Sequence, residues 1–194
     1  MTELTGMALD RWERDPKLLG ITLARYKWVG KMFEGMDRVL EVGCNDGFGA
    51  RVVRQHVKSL TAVDIDSKSI LQARAGCSDK FPITFLQHDI MEHAILGKDA
   101  VYCLDVFEHI KNERKLLKNL RACAPVCIIG TPSLESQIYA TDGPDVHVNC
   151  KSGADLKASM QRYWKNVFLF SMSDETVHTG FPKMAHYLLA LATD

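Results

Sequence analysis

Residues 38–49 read RVLEVGCNDGFG, and this stretch decides the fold. It opens with a short apolar run, Val39, Leu40 and Val42, of the kind found in a buried parallel strand. Glycines follow at 43, 47 and 49, and valines at helical spacing come next. We therefore predict a strand, a glycine-rich turn and a helix. Because glycine carries no Cβ, the turn can approach a ligand closely, and the helix N-terminus favours negative charge on that ligand.

The spacing of these glycines separates two classes of nucleotide-binding turn. A dinucleotide-binding loop has the pattern Gly-x-Gly-x-x-Gly, which no register of this stretch fits. The pattern present is Glu41-x-Gly43-x-x-x-Gly47-x-Gly49, and it resembles the first motif of the class I S-adenosylmethionine-dependent methyltransferases. The resemblance implies that the cofactor contacts Glu41, Gly43, Cys44, Gly47 and Gly49. The alternative is a tight turn in an unrelated α/β protein. The rest of the sequence is needed to distinguish the two interpretations.

The composition is that of an ordinary folded protein. The chain has 194 residues, of which 46% are hydrophobic and 25% charged, and this length fits one domain. The formal net charge is zero, so the general basic character of nucleic-acid-binding proteins is absent, while a local basic patch stays open. Residues 1–16 are polar, and we predict an irregular N-terminal segment that is neither a signal peptide nor a membrane span.

The cysteines indicate a reducing compartment. There are six, at positions 44, 77, 103, 123, 127 and 150. No Cys-x-x-Cys pair occurs, and Cys123 and Cys127 have no histidine partner at zinc-finger spacing. We predict reduced thiols, a cytoplasmic location and no bound metal.

An acidic residue lies near the end of the second predicted strand, residues 59–66. Asp64 follows Glu41 at about the separation that a βαβ unit needs, and a carboxylate there can chelate ribose hydroxyls. We predict cofactor contacts for Asp64 and for the following Ile65. Ser67 is predicted to cap the next helix, while Asp66 assists that turn rather than the ligand.

The third predicted strand, residues 81–90, also has an acid near its end. In the resembled family the matching acid accepts a hydrogen bond from the adenine amino group, and the next residue packs on the adenine ring. The resemblance implies these contacts for Asp89 and Ile90. A helix or turn cap is the alternative role of Asp89.

Residues 99–110 combine a buried-looking strand with the sequence Asp-x-x-Glu-His-Ile. This stretch resembles the fourth motif of the branch that contains ubiquinone-biosynthesis O-methyltransferases and many sugar and antibiotic methyltransferases. It implies cofactor contacts for Leu104 and Asp105. Near the start of the chain, Arg25 and Tyr26 resemble a segment in which a basic or tyrosyl side chain meets the methionine carboxylate of the cofactor. An equally good alternative is that Arg25 is exposed to solvent and Tyr26 is part of the hydrophobic core.

The predicted elements alternate between strands and helices and end with two neighbouring strands, at 167–172 and 185–191. This order is similar to the class I methyltransferase fold, a Rossmann-like α/β fold. Its seven-stranded sheet is mostly parallel, with an antiparallel last strand and helices on both faces. The resemblance covers about residues 24–191. We predict a single methyltransferase domain over residues 1–194.

Histidines near the predicted cleft are the candidate catalytic residues. An activated sulfonium methyl needs mainly positioning and exclusion of water, but a hydroxyl acceptor benefits from a base with a pKa near neutrality. His147 is the first candidate, because the loop 133–150 leaves the carboxyl end of the fifth strand, and Asp145 could orient it. His109 is the second candidate and His178 the third.

The sequence thus predicts a methyltransferase that converts S-adenosylmethionine into S-adenosylhomocysteine. Its acceptor would be an oxygen or nitrogen of a small molecule, and a saccharide or cell-envelope precursor would suit the resembled branch. Protein or RNA methylation and a catalytically silent cofactor-binding partner subunit stay open, whereas the glycine spacing disfavours a nicotinamide-dependent oxidoreductase. An Asn/Asp-Pro-Pro-Tyr-type motif is missing, so nucleic acid is not the predicted partner. A homo-oligomer stays open.

Overall fold

A computed structural model describes residues 6–139, 147–180 and 185–194. The contacts within the chain group into two compact units, Met1–Asp89 and Ile90–Asp194. Strands and helices alternate in both units, except that the first unit begins with two helices and the second ends with three strands. The expectation of one domain over the whole chain stays a prediction.

The first unit contains three parallel strands. Its central strand is β2 (Ser59–Asp64), which pairs in parallel with β1 (Arg38–Val42) and with β3 (Thr84–Gln87). Its helices are α1 (Gly6–Arg14), α2 (Pro16–Met32), α3 (Phe48–Val53) and α4 (Ser67–Ala75). The last four residues of β1 are buried, as expected for an apolar run in a parallel strand covered on both faces.

Helix α1 corrects our prediction of an irregular segment over residues 1–16. The helix has nine residues, which is too short to be stable by itself in water, so it depends on contacts elsewhere. One such contact is the backbone N–H of Met7, which donates to Oδ2 of Asp46 at 2.7 Å. The partner is distant in sequence and lies in the glycine-rich turn, which is why local composition did not reveal the helix.

The second unit contains five strands in the order β4-β5-β8-β6-β7. They are β4 (Ala100–Leu104), β5 (Val126–Pro132), β6 (Asn166–Met172), β7 (Val177–His178) and β8 (Tyr187–Thr193). Strands β4 and β5 are parallel, while β8 lies between β5 and β6 and is antiparallel to both. Two α-helices, α5 (Glu113–Cys123) and α6 (Gly153–Met160), and two 3₁₀ helices, Phe107–His109 and Leu134–Tyr139, complete the described part of this unit.

The predicted fold class is confirmed, with one correction to the strand count. The fold is Rossmann-like α/β, and the last strand is antiparallel to its neighbours. The described residues form eight strands rather than seven. The additional strand is β7, which pairs with the end of β6 where we predicted only a turn around His178. A two-residue strand has no periodicity for sequence reasoning to detect.

No helix in the described part of the chain has both the length and the apolar character needed to cross a bilayer.

The helix caps provide a direct test of the local structure. Ser152 caps α6, because its Oγ accepts from the backbone N–H of Asp155 at 3.3 Å and donates to the Asp155 carboxylate at 2.7 Å. We expect Ser152→Ala to lower the free energy of unfolding by about 1 kcal/mol, because the first turn loses its side-chain acceptor. Urea denaturation followed by circular dichroism measures this change.

Ser67→Ala is the matched control. Ser67 was predicted to be the cap of α4, but the cap is Asp66, whose carboxylate accepts from the backbone N–H groups of Lys68 and Ser69. Ser67 is already helical, so alanine should be tolerated there with almost no change in stability. Equal losses in Ser152→Ala and Ser67→Ala would contradict this assignment of the caps.

Candidate cofactor and active site

The glycine-rich turn that follows β1 is tied to β2. The backbone N–H groups of Gly43 and Cys44 both donate to the carbonyl of Val63, at 2.8 and 3.0 Å. Gly43, Asn45 and Gly47 all have positive φ angles. A Cβ on Gly47 would lie 2.6 Å from Cζ of Phe85, so glycine is required there both by conformation and by space. The turn is therefore a fixed loop of left-handed residues at the carboxyl end of β1.

Asp64 holds this turn from the end of β2. Its Oδ2 accepts from the backbone N–H of Asn45 at 2.8 Å, and its Oδ1 accepts from the backbone N–H of Asp66 at 2.9 Å. A carboxylate offers about four lone-pair positions, so each oxygen keeps capacity for a further donor. Ile65, the next residue, is 65% exposed. A half-buried carboxylate beside an exposed apolar side chain suits a ligand that has both hydroxyls and a flat ring.

Glu41 and Cys44 are buried at the same end of the first unit, each with 1% exposure. Burial raises the pKa of the Cys44 thiol far above its ordinary value, and the nearby carboxylates of Glu41 and Asp64 raise the pKa further. The thiol therefore stays protonated and contributes packing rather than a reactive thiolate.

Tyr26 and Gly49, both predicted to contact the cofactor, contact each other. Tyr26 is 3% exposed, and a Cβ on Gly49 would lie 2.0 Å from Cζ of the Tyr26 ring. Gly49 thus has a packing role between α2 and α3. This placement favours the core alternative for Tyr26, while the cofactor contact of the half-buried Arg25 stays a prediction.

Asp89 and Ile90 lie just after β3, as the sequence predicted. Asp89 is half-buried and Ile90 is 6% exposed. The carbonyl of Ile90 accepts from the side-chain amide of Asn119 at 2.6 Å, which fixes the backbone at that position. The adenine contacts of the two residues stay predictions.

In the second unit, Leu104 and Asp105 mark the carboxyl end of β4. Leu104 is 3% exposed, whereas Asp105 is partly accessible and has a φ angle of 55°. The backbone N–H of Asp105 donates to the carbonyl of Gly130 in β5 at 3.0 Å. A non-glycine residue in the left-handed region is uncommon, and such residues concentrate at functional turns.

The two candidate catalytic histidines are brought together in the second unit. The rings of His109 and His147 make an edge-on contact with centroids 5.1 Å apart. Glu108, which is 1% exposed, lies with them, and one ligand atom from each of the three residues falls within 4.8 Å of the others. Asp145, the predicted orienting partner of His147, lies outside the described residues. His178 is exposed in β7 and is not part of this group.

Glu108 and Thr131 are the residues that sequence reasoning missed. Glu108 stands in the quoted Asp-x-x-Glu-His-Ile stretch, but we gave it no role. Its Oε2 accepts from the hydroxyl of Thr131 in β5 at 3.0 Å, and both residues are buried. A buried glutamate directly before a candidate histidine was a usable signal, whereas nothing local pointed to Thr131.

A family model described as a methyltransferase domain matches residues 39–125. The matched segment begins in β1 and ends just before β5, so it contains the glycine-rich turn, Asp64, Asp89 and Asp105. Over these residues the chain resembles the class I S-adenosylmethionine-dependent methyltransferases. The methyltransferases of this family use S-adenosylmethionine as the methyl donor. His147 lies outside the matched segment.

Two curated methyltransferases resemble part of the chain. An uncharacterized methyltransferase of Mycobacterium tuberculosis is 32% identical over 113 residues, which are 54% of this chain and 57% of the relative. A ubiquinone biosynthesis O-methyltransferase of Coxiella burnetii is 23% identical over 131 residues, 63% of this chain and 55% of the relative. The chain therefore spans little more than half the length of the curated relatives it matches.

A solved methyltransferase structure resembles nearly the whole chain. The magnesium protoporphyrin IX methyltransferase from Synechocystis, with S-adenosylhomocysteine bound, superimposes with a TM-score of 0.68 at 15% identity. The superposition covers 97% of this chain and 95% of that methyltransferase. At this identity the likeness shows the methyltransferase fold.

Proposed function

We propose that this methyltransferase transfers the methyl group of S-adenosylmethionine to an oxygen or nitrogen of a small molecule. The observation that carries the proposal is Asp64, whose two carboxylate oxygens fix the glycine-rich turn and the start of α4 and can still accept from two ribose hydroxyls. Glu41, Gly43 and Gly47 supply the turn that the methionine part of the cofactor would follow.

The other predicted cofactor residues have complementary chemistry. Ile65 offers an exposed apolar surface for the adenine ring, and Asp89 offers a carboxylate for its amino group. Ile90, Leu104 and Asp105 are assigned to the cofactor by their positions after β3 and β4. These assignments are proposals, as is the contact of Arg25 with the methionine carboxylate.

The reaction depends more on positioning the acceptor in line with the methyl group than on activating that methyl group. The acceptor atom attacks the methyl carbon in line, the bond from carbon to sulfur breaks, and its electron pair stays on sulfur to give neutral S-adenosylhomocysteine. A hydroxyl acceptor must also lose its proton. We propose His147, with His109 beside it, as the residues that act on the acceptor at this step. A saccharide is the acceptor class that we would test first.

Calorimetry on the whole chain tests cofactor binding. We expect S-adenosylhomocysteine to bind with micromolar affinity and one-to-one stoichiometry, and an excess of NADH to leave that affinity unchanged. Binding of NADH in place of S-adenosylhomocysteine would contradict the proposal.

An acceptor screen tests the reaction itself. With a methyl-labelled donor, transfer to a member of a library of saccharides, phenols and amines is the expected result. If S-adenosylhomocysteine binds and no small molecule, protein or RNA is labelled, the chain is a silent cofactor-binding subunit and the proposed reaction is wrong.

A further inference from the structure

Glu108, His109 and His147 form a compact group of three side chains with ligand atoms for a cation. The ligand atoms lie within 4.8 Å of one another. Ligands held about 2.0–2.2 Å from an ion in tetrahedral geometry are roughly 3.4 Å apart. The group would therefore have to close by about 1.4 Å or less to hold an ion in that geometry. Glu108 is buried, His147 is half-buried and His109 is exposed, so the group opens to solvent on one side.

The backbone holds the two parts of this group in register. The N–H groups of Val148 and Asn149 both donate to the carbonyl of Glu108, at 2.9 and 3.0 Å. The side-chain amide of Asn149 also donates to the carbonyl of Phe107, at 3.3 Å. The segment that carries His147 is thereby fastened to the 3₁₀ helix that carries Glu108 and His109.

The carboxylate of Glu108 is also fixed in orientation. The hydroxyl of Thr131, a buried residue of β5, donates a hydrogen bond to Oε2 of Glu108. Metal-binding carboxylates and imidazoles are characteristically oriented by such hydrogen bonds from residues behind them.

We propose that Glu108, His109 and His147 bind a divalent transition-metal ion. Two imidazoles and one carboxylate are a donor set for ions such as Zn²⁺, Mn²⁺ or Co²⁺, whereas Mg²⁺ and Ca²⁺ prefer oxygen donors alone. Three protein ligands leave coordination positions open, as in catalytic rather than structural sites. This replaces the prediction of no bound metal made from the cysteine and histidine spacing alone.

A bound ion would give the two histidines a different part in the proposed methyl transfer. This catalytic role rests on the proposed function, whereas the metal site itself does not. Next to a hydroxyl acceptor it would polarise the acceptor oxygen and lower the pKa of the hydroxyl. The hydroxyl proton would leave to solvent, and the oxygen would attack the methyl carbon as described above. His147 would then act as a ligand and not as a free base.

Metal titration of the whole chain, stripped with EDTA and free of cofactor, tests the site. We expect Co²⁺ to bind one-to-one with micromolar affinity and to give visible absorption bands typical of nitrogen and oxygen ligation. His109→Gln and His147→Gln should each weaken Co²⁺ binding by more than about 100-fold, since replacing residues that merely orient ligands already costs 10–100-fold. Thr131→Val, which leaves the ligands in place, should weaken it by about tenfold.

His93→Gln is the matched control, since His93 is an exposed histidine of the same unit outside the group. It should bind Co²⁺ as the wild type does. Wild-type binding no tighter than that of His147→Gln, or an equal loss in His93→Gln, would overturn the proposal and leave the group as a hydrogen-bonded carboxylate and histidine pair. Glu108→Gln should also lose Co²⁺ binding. If this variant fails to fold, the two histidine variants still test the metal site.

The affinity for S-adenosylhomocysteine is measured on the same samples. Metal binding without methyl transfer would support the metal site and contradict the proposed reaction. Methyl transfer that is unaffected by EDTA, with no one-to-one Co²⁺ binding, would support the proposed reaction and contradict the metal site.

Discussion

Asp64→Ala is expected to weaken the binding of S-adenosylhomocysteine at least tenfold. The carboxylate is proposed to accept from both ribose hydroxyls, and each hydrogen bond to a charged acceptor contributes about 1.5–3 kcal/mol. The variant also loses the anchors of the Asn45 and Asp66 backbone N–H groups, so the glycine-rich turn becomes less well fixed. Calorimetry with the wild type and the variant, both checked for folding by circular dichroism, measures the loss.

Asp66→Ala is the control for Asp64→Ala. Asp66 is a neighbouring carboxylate on the same turn, but its oxygens are used to cap α4. The control should lose stability and keep its affinity for S-adenosylhomocysteine. A well-folded Asp64→Ala variant with wild-type affinity would remove Asp64 from the cofactor site.

Gly49→Ala is expected to destabilise the chain by about 1–3 kcal/mol, the usual cost of overpacking a core. The new Cβ would lie 2.0–2.4 Å from three carbon atoms of the Tyr26 ring, and that ring is buried between α2 and α3. Urea denaturation measures the loss. In a Tyr26→Ala background the obstructing ring is absent, so the additional cost of Gly49→Ala should nearly vanish.

Gly20→Ala is the matched control for this substitution. Gly20 is also helical, in α2, and apart from the neighbouring backbone of that helix no atom lies within 4 Å of a Cβ placed there. Alanine at this position should stabilise the chain by about 0.4–1 kcal/mol, because it restricts the unfolded state without a clash. If Gly49→Ala instead kept its stability and lost affinity for S-adenosylhomocysteine, Gly49 would be a cofactor residue, as its place in the motif suggested.

The parts of the fold that were predicted correctly depend on local sequence. The apolar runs of β1 and β4 are buried on both faces, so they are visible as continuous hydrophobic stretches. The glycine spacing and the acid at the end of β2 are fixed by a turn only a few residues long. That is why the resemblance to the methyltransferases is visible in residues 38–110.

The features that were missed depend on contacts that are distant in sequence. Helix α1 is held by Asp46, and the cap of α4 is Asp66 rather than Ser67 because the aspartate precedes the turn with extended backbone. The group around His147 forms because a segment after β5 returns to the carbonyl of Glu108. The spacing of residues within one helix or strand cannot predict a contact between segments so far apart in the sequence.

The insertion of β8 between β5 and β6 determines the order in which the second unit can be completed during synthesis. On the ribosome, β5 and β6 both emerge before residues 187–193, the strand that joins them. At about 5–20 residues per second, the facing edges of β5 and β6 stay without their common partner for seconds. Unpaired strand edges recruit other chains. By contrast, β1, β2 and β3 can pair in the order in which they are made. The nascent chain should therefore need protection by chaperones between the emergence of β5 and that of β8, while the first unit is already paired.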